Sequence, residues 1–239
     1  QQDFVRISLA GTLKDFVFKN YRDITGPASS ANWNGQAAGY ADSPADIINY
    51  VSKHDNETLW DNLQAKLPES MALTERVRAQ NVAIAIPLMS QGIPFLQLGG
   101  DFLRSKSMDR DSYDSGDWFN FVDFTYQTNN WAVGLPLAEK NEASWENIAR
   151  LFLNRETKAE SEDIQFAAAV FAEFLSIRSG SPLFRLRTAD DITARLGFHN
   201  IGRNQQQGLI VMSLDDGLGV PDLDPMYDAM VVVINGTSG

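Results

Sequence analysis

Two clusters of polar side chains hold the residue types from which chemistry could be built. The first, His54-Asp55-Asn56-Glu57, follows the apolar, partly β-branched run Ile47-Ile48-Asn49-Tyr50-Val51-Ser52. The second lies beyond another such run, Ile93-Pro94-Phe95-Leu96-Gln97-Leu98. It passes from Arg104-Ser105-Lys106-Ser107-Met108 into Asp109-Arg110-Asp111-Ser112-Tyr113-Asp114-Ser115-Gly116-Asp117. Carboxylates and an imidazole can carry charge or move protons, and an arginine can grip them or a pair of hydroxyls. Asp and Asn are also the residues of ordinary turns, so the first cluster alone reads more readily as a polar turn with a helix cap. The second invites a calcium reading. It departs from the EF-hand pattern, because Tyr113 stands at a ligand position and Asp114 where glycine is required. A solvated acidic loop accounts for it more simply.

Composition removes several alternatives. The chain has 239 residues, room for one large domain or two small ones. Lys and Arg number 20 against 31 Asp and Glu, a net charge of −11 that repels phosphate backbones and argues against a nucleic-acid partner. Apolar residues make up 44 % and aromatics 10 %, enough for a packed core. The absence of cysteine excludes disulfides, thiolate metal sites and a cysteine nucleophile, and two histidines argue against a clustered-histidine zinc site. The longest apolar run, Val82 to Met89, falls far short of the ~20 residues of a membrane helix. Gln1-Gln2-Asp3-Phe4 has neither the basic nor the long apolar segment of a signal peptide. The chain is therefore expected to be a piece of a longer protein. Its compartment is unknown from this segment, and the lack of cysteine favours an extracellular or periplasmic one.

The elements that must position the clusters can be read from periodicity and punctuation. A short helix and a turn are expected over Phe4 to Phe18. Residues 20 to 46, with Gly26, Pro27, Gly35, Gly39 and Pro44, read as loop. The run starting at Ile47 reads as a buried strand, and the run starting at Ile93 as a second strand. Between them a helix is expected from the N-cap Thr74, burying Ala79, Val82, Ala83 and Ile86 and kinked or ended by Pro87. Residues 104 to 146 form a long polar stretch whose aromatics argue against disorder. A helix follows over Asp163 to Ser179, with Arg178 suited to its negative end and Gly180 as the residue just beyond it. After Pro182, three β-rich runs, Ile192 to His199, Leu209 to Leu214 and Ala229 to Asn235, indicate a small antiparallel domain. Strand and helix in alternation are the mark of parallel α/β units, whose chemistry collects at the C-terminal ends of strands.

The residues then form a recognisable series. It comprises Asn49-Tyr50-Val51-Ser52-Lys53-His54-Asp55-Asn56-Glu57-Thr58-Leu59-Trp60-Asp61, Ser90-Gln91-Gly92-Ile93-Pro94-Phe95, Leu103-Arg104-Ser105-Lys106-Ser107, the block Asp109 to Asn120, Asn129-Asn130-Trp131, Val133-Gly134-Leu135-Pro136, Ser181-Pro182-Leu183-Phe184-Arg185-Leu186 and Phe198-His199-Asn200. Over nearly its whole length the chain resembles the C-terminal portion of pullulanase and limit-dextrinase-type debranching enzymes. These belong to the α-amylase superfamily, glycoside hydrolase family thirteen. Blocks of this length do not arise as chance turns.

The resemblance implies an α/β fold. Residues 1–185 would be the end of a (β/α)8 TIM barrel, its seventh and eighth strands with their helices. Residues 186–239 would begin an antiparallel β-sandwich domain. It implies retaining hydrolysis of α-1,6 branch linkages in pullulan, amylopectin and limit dextrins. Two carboxyl groups would act as nucleophile and general acid upstream of this chain, so the segment alone should be inactive. Asp55 matches the third carboxylate, which grips sugar hydroxyls and stabilises developing positive charge. His54 matches the neighbouring imidazole on the same sugar. Arg110 matches a substrate-contacting arginine, or would hold Asp109 or Asp55 in place. Asn56 and Asp109 share these loops, Tyr113, Trp118 and Trp131 are candidates for stacking on sugar faces, and Glu142 stands in for an acidic group that limit dextrinases can carry there. No cofactor is required, with room left for calcium. The expected partners are an α-glucan and the remainder of the same polypeptide, with no nucleic acid and no membrane. Two other readings compete: a non-catalytic α-glucan-binding module, and an α-1,4-acting amylase or neopullulanase. The Arg104 to Asn120 block argues against the latter.

Overall fold

The structure, a computed structural model, describes residues 1–217 and 219–237. Its helices are α1 (Gln2–Leu9), α2 (Leu59–Lys66), α3 (Leu73–Met89), α4 (Asp117–Asn120), α5 (Ala138–Asn141), α6 (Trp145–Leu153), α7 (Ser161–Gly180) and α8 (Ala189–Arg195). Its strands are β1 (Val17–Lys19), β2 (Thr25–Pro27), β3 (Asn32–Trp33), β4 (Gln36–Ala37), β5 (Ile48–Asn49), β6 (Ile93–Pro94), β7 (Leu196–His199), β8 (Leu209–Asp215) and β9 (Ala229–Asn235). β1–β2 and β3–β4 are small antiparallel ribbons within the segment expected to be loop, β5–β6 is a parallel pair, and β7–β8–β9 is an antiparallel sheet. Two compact units interleave along the sequence, where the resemblance implies a single division at residue 185. One comprises Gln1–Asn49, Ala85–Phe95 and Phe174–Gly239, the other Tyr50–Ile84 and Leu96–Glu173. No helix among the described residues is long and apolar enough to cross a membrane.

Within the first unit, long-range polar contacts do much of the fastening. Buried Arg6 on α1 pairs with Asp3 at 2.6 Å and donates to the Asn200 carbonyl at 2.9 Å. Gln91 donates its backbone N–H to the Leu9 carbonyl at 2.9 Å, while its side-chain amide donates to the Leu183 carbonyl and accepts from Leu186 N–H. Gly92 follows at φ +93°, where an added Cβ would come within 2.5 Å of Ile47 Cγ2. That close approach lets Ile93 N–H reach the Ile47 carbonyl at 3.1 Å and open the β5–β6 pair. Arg178 does not serve its own helix end. It is buried and donates to the carbonyls of Leu88, Ser90 and Gly92, at and beyond the C-terminus of α3. Burial holds its guanidinium down to about 10, and the three carbonyls compensate for the lost water.

Several expectations need correction. The runs at Ile47 and Ile93 pair over two residues each; Ile48, in the run expected to be buried, is exposed, as are Ile93, Phe95 and Leu98 of the second run. The sheet they form has two strands among the described residues, and one residue of each paired dipeptide, Ile48 and Ile93, faces solvent. α3 begins at Leu73, so Thr74 lies inside it, and its buried face is Val77, Ile84 and Leu88 with Arg76 and Gln80, not the half-buried Ala79, Val82, Ala83 and Ile86. Pro87 occupies its last turn, and the helix stops at Met89. Gly180 is the last residue of α7 rather than the one beyond it. The expected strand from Ile192 is helix up to Arg195. The Thr188 hydroxyl caps α8 by accepting from Asp191 N–H at 3.0 Å, and Asp190 and Asp191 suit its positive end.

The second unit is built on an apolar core of Trp60, Val77, Phe102, Leu103, Met108, Trp131, Ile148, Leu151, Ala159, Ile164 and Ala167. Residues 104 to 146 wrap it with little regular structure, ordered by side-chain bonds to backbone. Asp123 accepts from the N–H groups of Thr125, Gln127 and Thr128, Asn129 donates to the Leu103 carbonyl, and Asn130 to the Trp118 carbonyl. The central clamp is Asp61. Thr58 caps α2 by accepting Asp61 N–H, and the fully buried Asp61 carboxylate accepts from Ser105 Oγ at 2.5 Å, Lys106 N–H at 2.9 Å and Met108 N–H at 3.3 Å. Burial pushes this carboxyl up to about 6, and the hydrogen bonds from Ser105, Lys106, Thr58 and Met108 resist that rise.

A raised carboxyl in the folded state binds its proton more tightly than the unfolded chain does. Its ionisation therefore subtracts stability as pH rises from about 4 to about 6, and the full loss is present above that window. Asp61→Asn sets an amide NH2 against backbone donors and should destabilise the protein by about 1–3 kcal/mol. The stability difference from the native protein, followed by urea unfolding, should be largest near pH 4 and shrink by pH 6.5. A difference that is constant or widens with pH would contradict the assignment.

Candidate active site

Beyond β5 the chain turns through Lys53 to Asn56, with Asn56 at φ +59°. Asp55 points outward with 58 % of its side chain exposed; its carboxylate forms an ion pair with Lys53 and lies 3.5 Å from His54 Nε2. The imidazole is 85 % exposed. A carboxylate so placed can accept hydrogen bonds from a hydroxylated ligand and offer negative charge to a cationic centre. Beneath this outward pair, Lys106 is 2 % exposed, and its Nζ donates to the His54 carbonyl at 3.2 Å. Burial lowers the ammonium's affinity for its proton, and the charges of Asp61, Asp109 and Glu57 work the other way.

Arg110 joins the first cluster to the second. Its Nε pairs with Glu57 at 3.0 Å, and Nη2 reaches Asn56 Oδ1 at 3.5 Å. The ion pair is thus with Glu57, and neither Asp55 nor Asp109 is the carboxylate it holds. Asp109 is buried and committed to its own loop. It accepts from Asp111 N–H at 3.0 Å, Asn141 Nδ2 at 3.2 Å and Ser115 Oγ at 2.6 Å. These bonds tie its oxygens to donors of the loop that carries Arg110. Lys140 pairs with Asp111 at 3.3 Å and Asp114 at 2.8 Å, and sits 4.2 Å over the Tyr113 ring. The hydrogen bond from Lys140 holds the Asp114 carboxyl below its ordinary range. Among the described residues no group of three His, Asp or Glu could hold a metal ion.

The aromatic candidates separate. Tyr113 is 83 % exposed and Trp118 is 64 % exposed. Trp118 donates Nε1–H to the Val133 carbonyl at 3.0 Å, which fixes its ring beside a cavity of about 350 Å³ lined by Asp117, Phe121, Asn130 and Val133. Trp131 lies in the core, 8 % exposed and in a T-shaped contact with Phe152 with centroids 5.1 Å apart. Glu142 is exposed at the start of a 3-10 turn after α5.

The sequence assigned no duty in the site to three residues, Asp61, Glu57 and Lys106, although all three stand in the blocks that carry the resemblance. Asp61 stands three residues after Thr58, a spacing that marks a helix start but does not reveal which distant donors its carboxylate would gather. Glu57 gave no sign of its partner, Arg110. Lys106, between two serines, has the local signature of an exposed loop residue, and only its burial and its bond to His54 distinguish it.

The model of pullulanase-type α-1,6-glucosidases, C-terminal, matches residues 126–239. The pullulanase of Klebsiella pneumoniae is 42 % identical over 234 residues, covering 98 % of this chain and 21 % of that protein. Pullulanase 1, chloroplastic, of Arabidopsis thaliana is 42 % identical over 240 residues, covering 98 % of this chain and 25 % of that protein. The crystal structure of Klebsiella pneumoniae pullulanase complexed with maltotriose superimposes with a TM-score of 0.93 at 41 % identity, over 98 % of this chain and 22 % of that one. The chain thus spans about a fifth to a quarter of the length of the relatives it matches. By sequence and by fold it belongs to the pullulanase family and corresponds to a C-terminal portion of its members.

Proposed function

We propose that the protein carrying this chain is a debranching glycoside hydrolase that cleaves α-1,6-glucosidic linkages in pullulan, amylopectin and limit dextrins with retention of configuration. Residues 1–185 supply the end of its (β/α)8 barrel, with β5 and β6 as the seventh and eighth strands, and residues 186–239 begin its β-sandwich. The parallel β5–β6 pair and the antiparallel β7–β8–β9 sheet are consistent with that division. The observation that carries the functional reading is the outward Asp55 carboxylate, flanked by His54 and Lys53 on a turn held from beneath.

In retaining hydrolysis one carboxylate attacks the anomeric carbon through an oxocarbenium-like state while a carboxylic acid protonates the leaving oxygen. Water then releases the glycosyl–enzyme bond. Both groups belong to the remainder of the polypeptide. Asp55 accepts hydroxyl hydrogen bonds from the sugar at the scissile bond and opposes the positive charge that grows on it. His54 donates to the same sugar. Arg110, with Glu57 and Asn56, shapes the neighbouring edge, and Tyr113 and Trp118 offer ring faces to further sugars. The ligand is an α-glucan, consistent with the maltotriose complexes described for Klebsiella pneumoniae pullulanase.

Asp55→Asn in the full-length protein should lower kcat on pullulan by at least ~100-fold with the fold intact, because an amide no longer opposes transition-state charge. Near-normal turnover would remove Asp55 from the site. Arg110→Ala should lower kcat/KM on pullulan by about 10-fold, mostly through KM, and an unchanged efficiency would take Arg110 out of substrate binding. The 239-residue chain alone should release no reducing ends from pullulan; robust release would mean that the reacting carboxyls lie within it. Product analysis on pullulan against amylose separates this reading from an α-1,4-acting enzyme.

A further inference from the structure

We propose that Lys106 is a positioning residue: its buried ammonium pins the peptide between His54 and Asp55 and so aims both side chains. The inference rests on the reading of Asp55 and His54 given above and adds a residue to it. A peptide unit is planar and contains both flanking Cα atoms. The bond from Lys106 Nζ to the His54 carbonyl at 3.2 Å therefore restrains the plane from which the imidazole and the carboxylate both depart. Those side chains are otherwise held by exposed surface contacts, the Lys53 ion pair and the 3.5 Å approach of the two to each other.

The loop carrying Lys106 is built to keep that ammonium inside. Asp61 Oδ2 accepts Lys106 N–H at 2.9 Å, Ser105 Oγ donates to Asp61 Oδ1 at 2.5 Å and accepts Ser107 N–H at 2.8 Å, and Ser107 Oγ donates to the Gly134 carbonyl at 2.7 Å. Immediately after Lys106, Ser107 and Met108 stand at φ +52° and +65°, two successive side-chain-bearing residues in the left-handed region. Such backbone is unfavourable and persists only where its surroundings over-determine it, as functional loops do. A buried amine is itself costly, and an apolar residue of the same volume would serve packing better. Asp61, Asp109 and Glu57 supply the compensating negative charge. Strain, burial and charge converge on one hydrogen bond whose acceptor belongs to the turn that carries Asp55.

The test uses the full-length protein with pullulan as substrate. Lys106→Met removes the donor and keeps the alkyl stem. It should lower kcat by at least ~10-fold while KM changes less than ~2-fold, because a misaimed carboxylate costs transition-state stabilisation rather than ground-state binding. Lys106→Arg, which restores a donor, should recover most of the loss. In an Asp55→Asn background Lys106→Met should cost clearly less, because only the share that passes through His54 remains. Should Lys106→Met not fold, Lys106→Gln carries the test: its amide falls short of the carbonyl, and the same kcat loss at constant KM is expected. A kcat within ~2-fold of the native value in the folded variant, or an equal loss in the Asp55→Asn background, overturns the proposal. Near-normal turnover of Asp55→Asn alone would instead overturn the reading of the site on which the proposal rests.

Discussion

One buried carboxylate organises the unit that carries the candidate site. Asp61 sits in the first turn of α2, and its oxygens collect donors from Ser105, Lys106 and Met108, all distant along the chain. A carboxylate accepts several hydrogen bonds at once, which no neutral side chain of its size can match. The cost of removing its charge from water appears as the upward push on its proton affinity, and the converging donors offset much of that cost. Withdrawing Asp61 would leave the left-handed Ser107–Met108 turn without its anchor and Lys106 without its backbone tether.

Arg178 is the basic counterpart in the other unit. Its guanidinium satisfies the carbonyls of Leu88, Ser90 and Gly92, which α3 cannot satisfy after Met89. The Gln91 side chain performs a similar service for Leu183 and Leu186. In the unit organised by Asp61, the residues Asp55, His54, Arg110 and Trp118 are exposed and polar or amphipathic, and the turn bearing the first two is restrained from beneath by a group that scarcely reaches solvent. Restraint of this kind is what transition-state stabilisation requires, since it depends on groups already aimed before charge develops.

Much of this was legible in the sequence where the determining physics is local. α7 followed from its apolar spacing, and β9 has the limits that its β-branched run indicated. The block around His54 and the block from Asp109 to Asn120 carried the family, since each constrains many positions at once. The sequence misleads where a local pattern is compatible with two outcomes. Ile192 can lie on a buried helix face as readily as in a strand, and the Thr188 cap with Asp190 and Asp191 decided for helix. Trp131 and Trp118 are the same residue type in the same polar stretch, yet one is buried against Phe152 and the other stands outside.

The amino-acid order by itself determined which residue types were available, where helices and turns could start, and the family to which the chain belongs, because those properties depend on neighbours within a few positions. Tertiary structure alone decided that Asp61 is a clamp, that Arg110 pairs with Glu57, that Asp109 turns inward and that Lys106 lies under His54. The physical reason is that a charged side chain takes its role from whatever partner and solvent surround it, and folding supplies those from segments that the linear order leaves far apart.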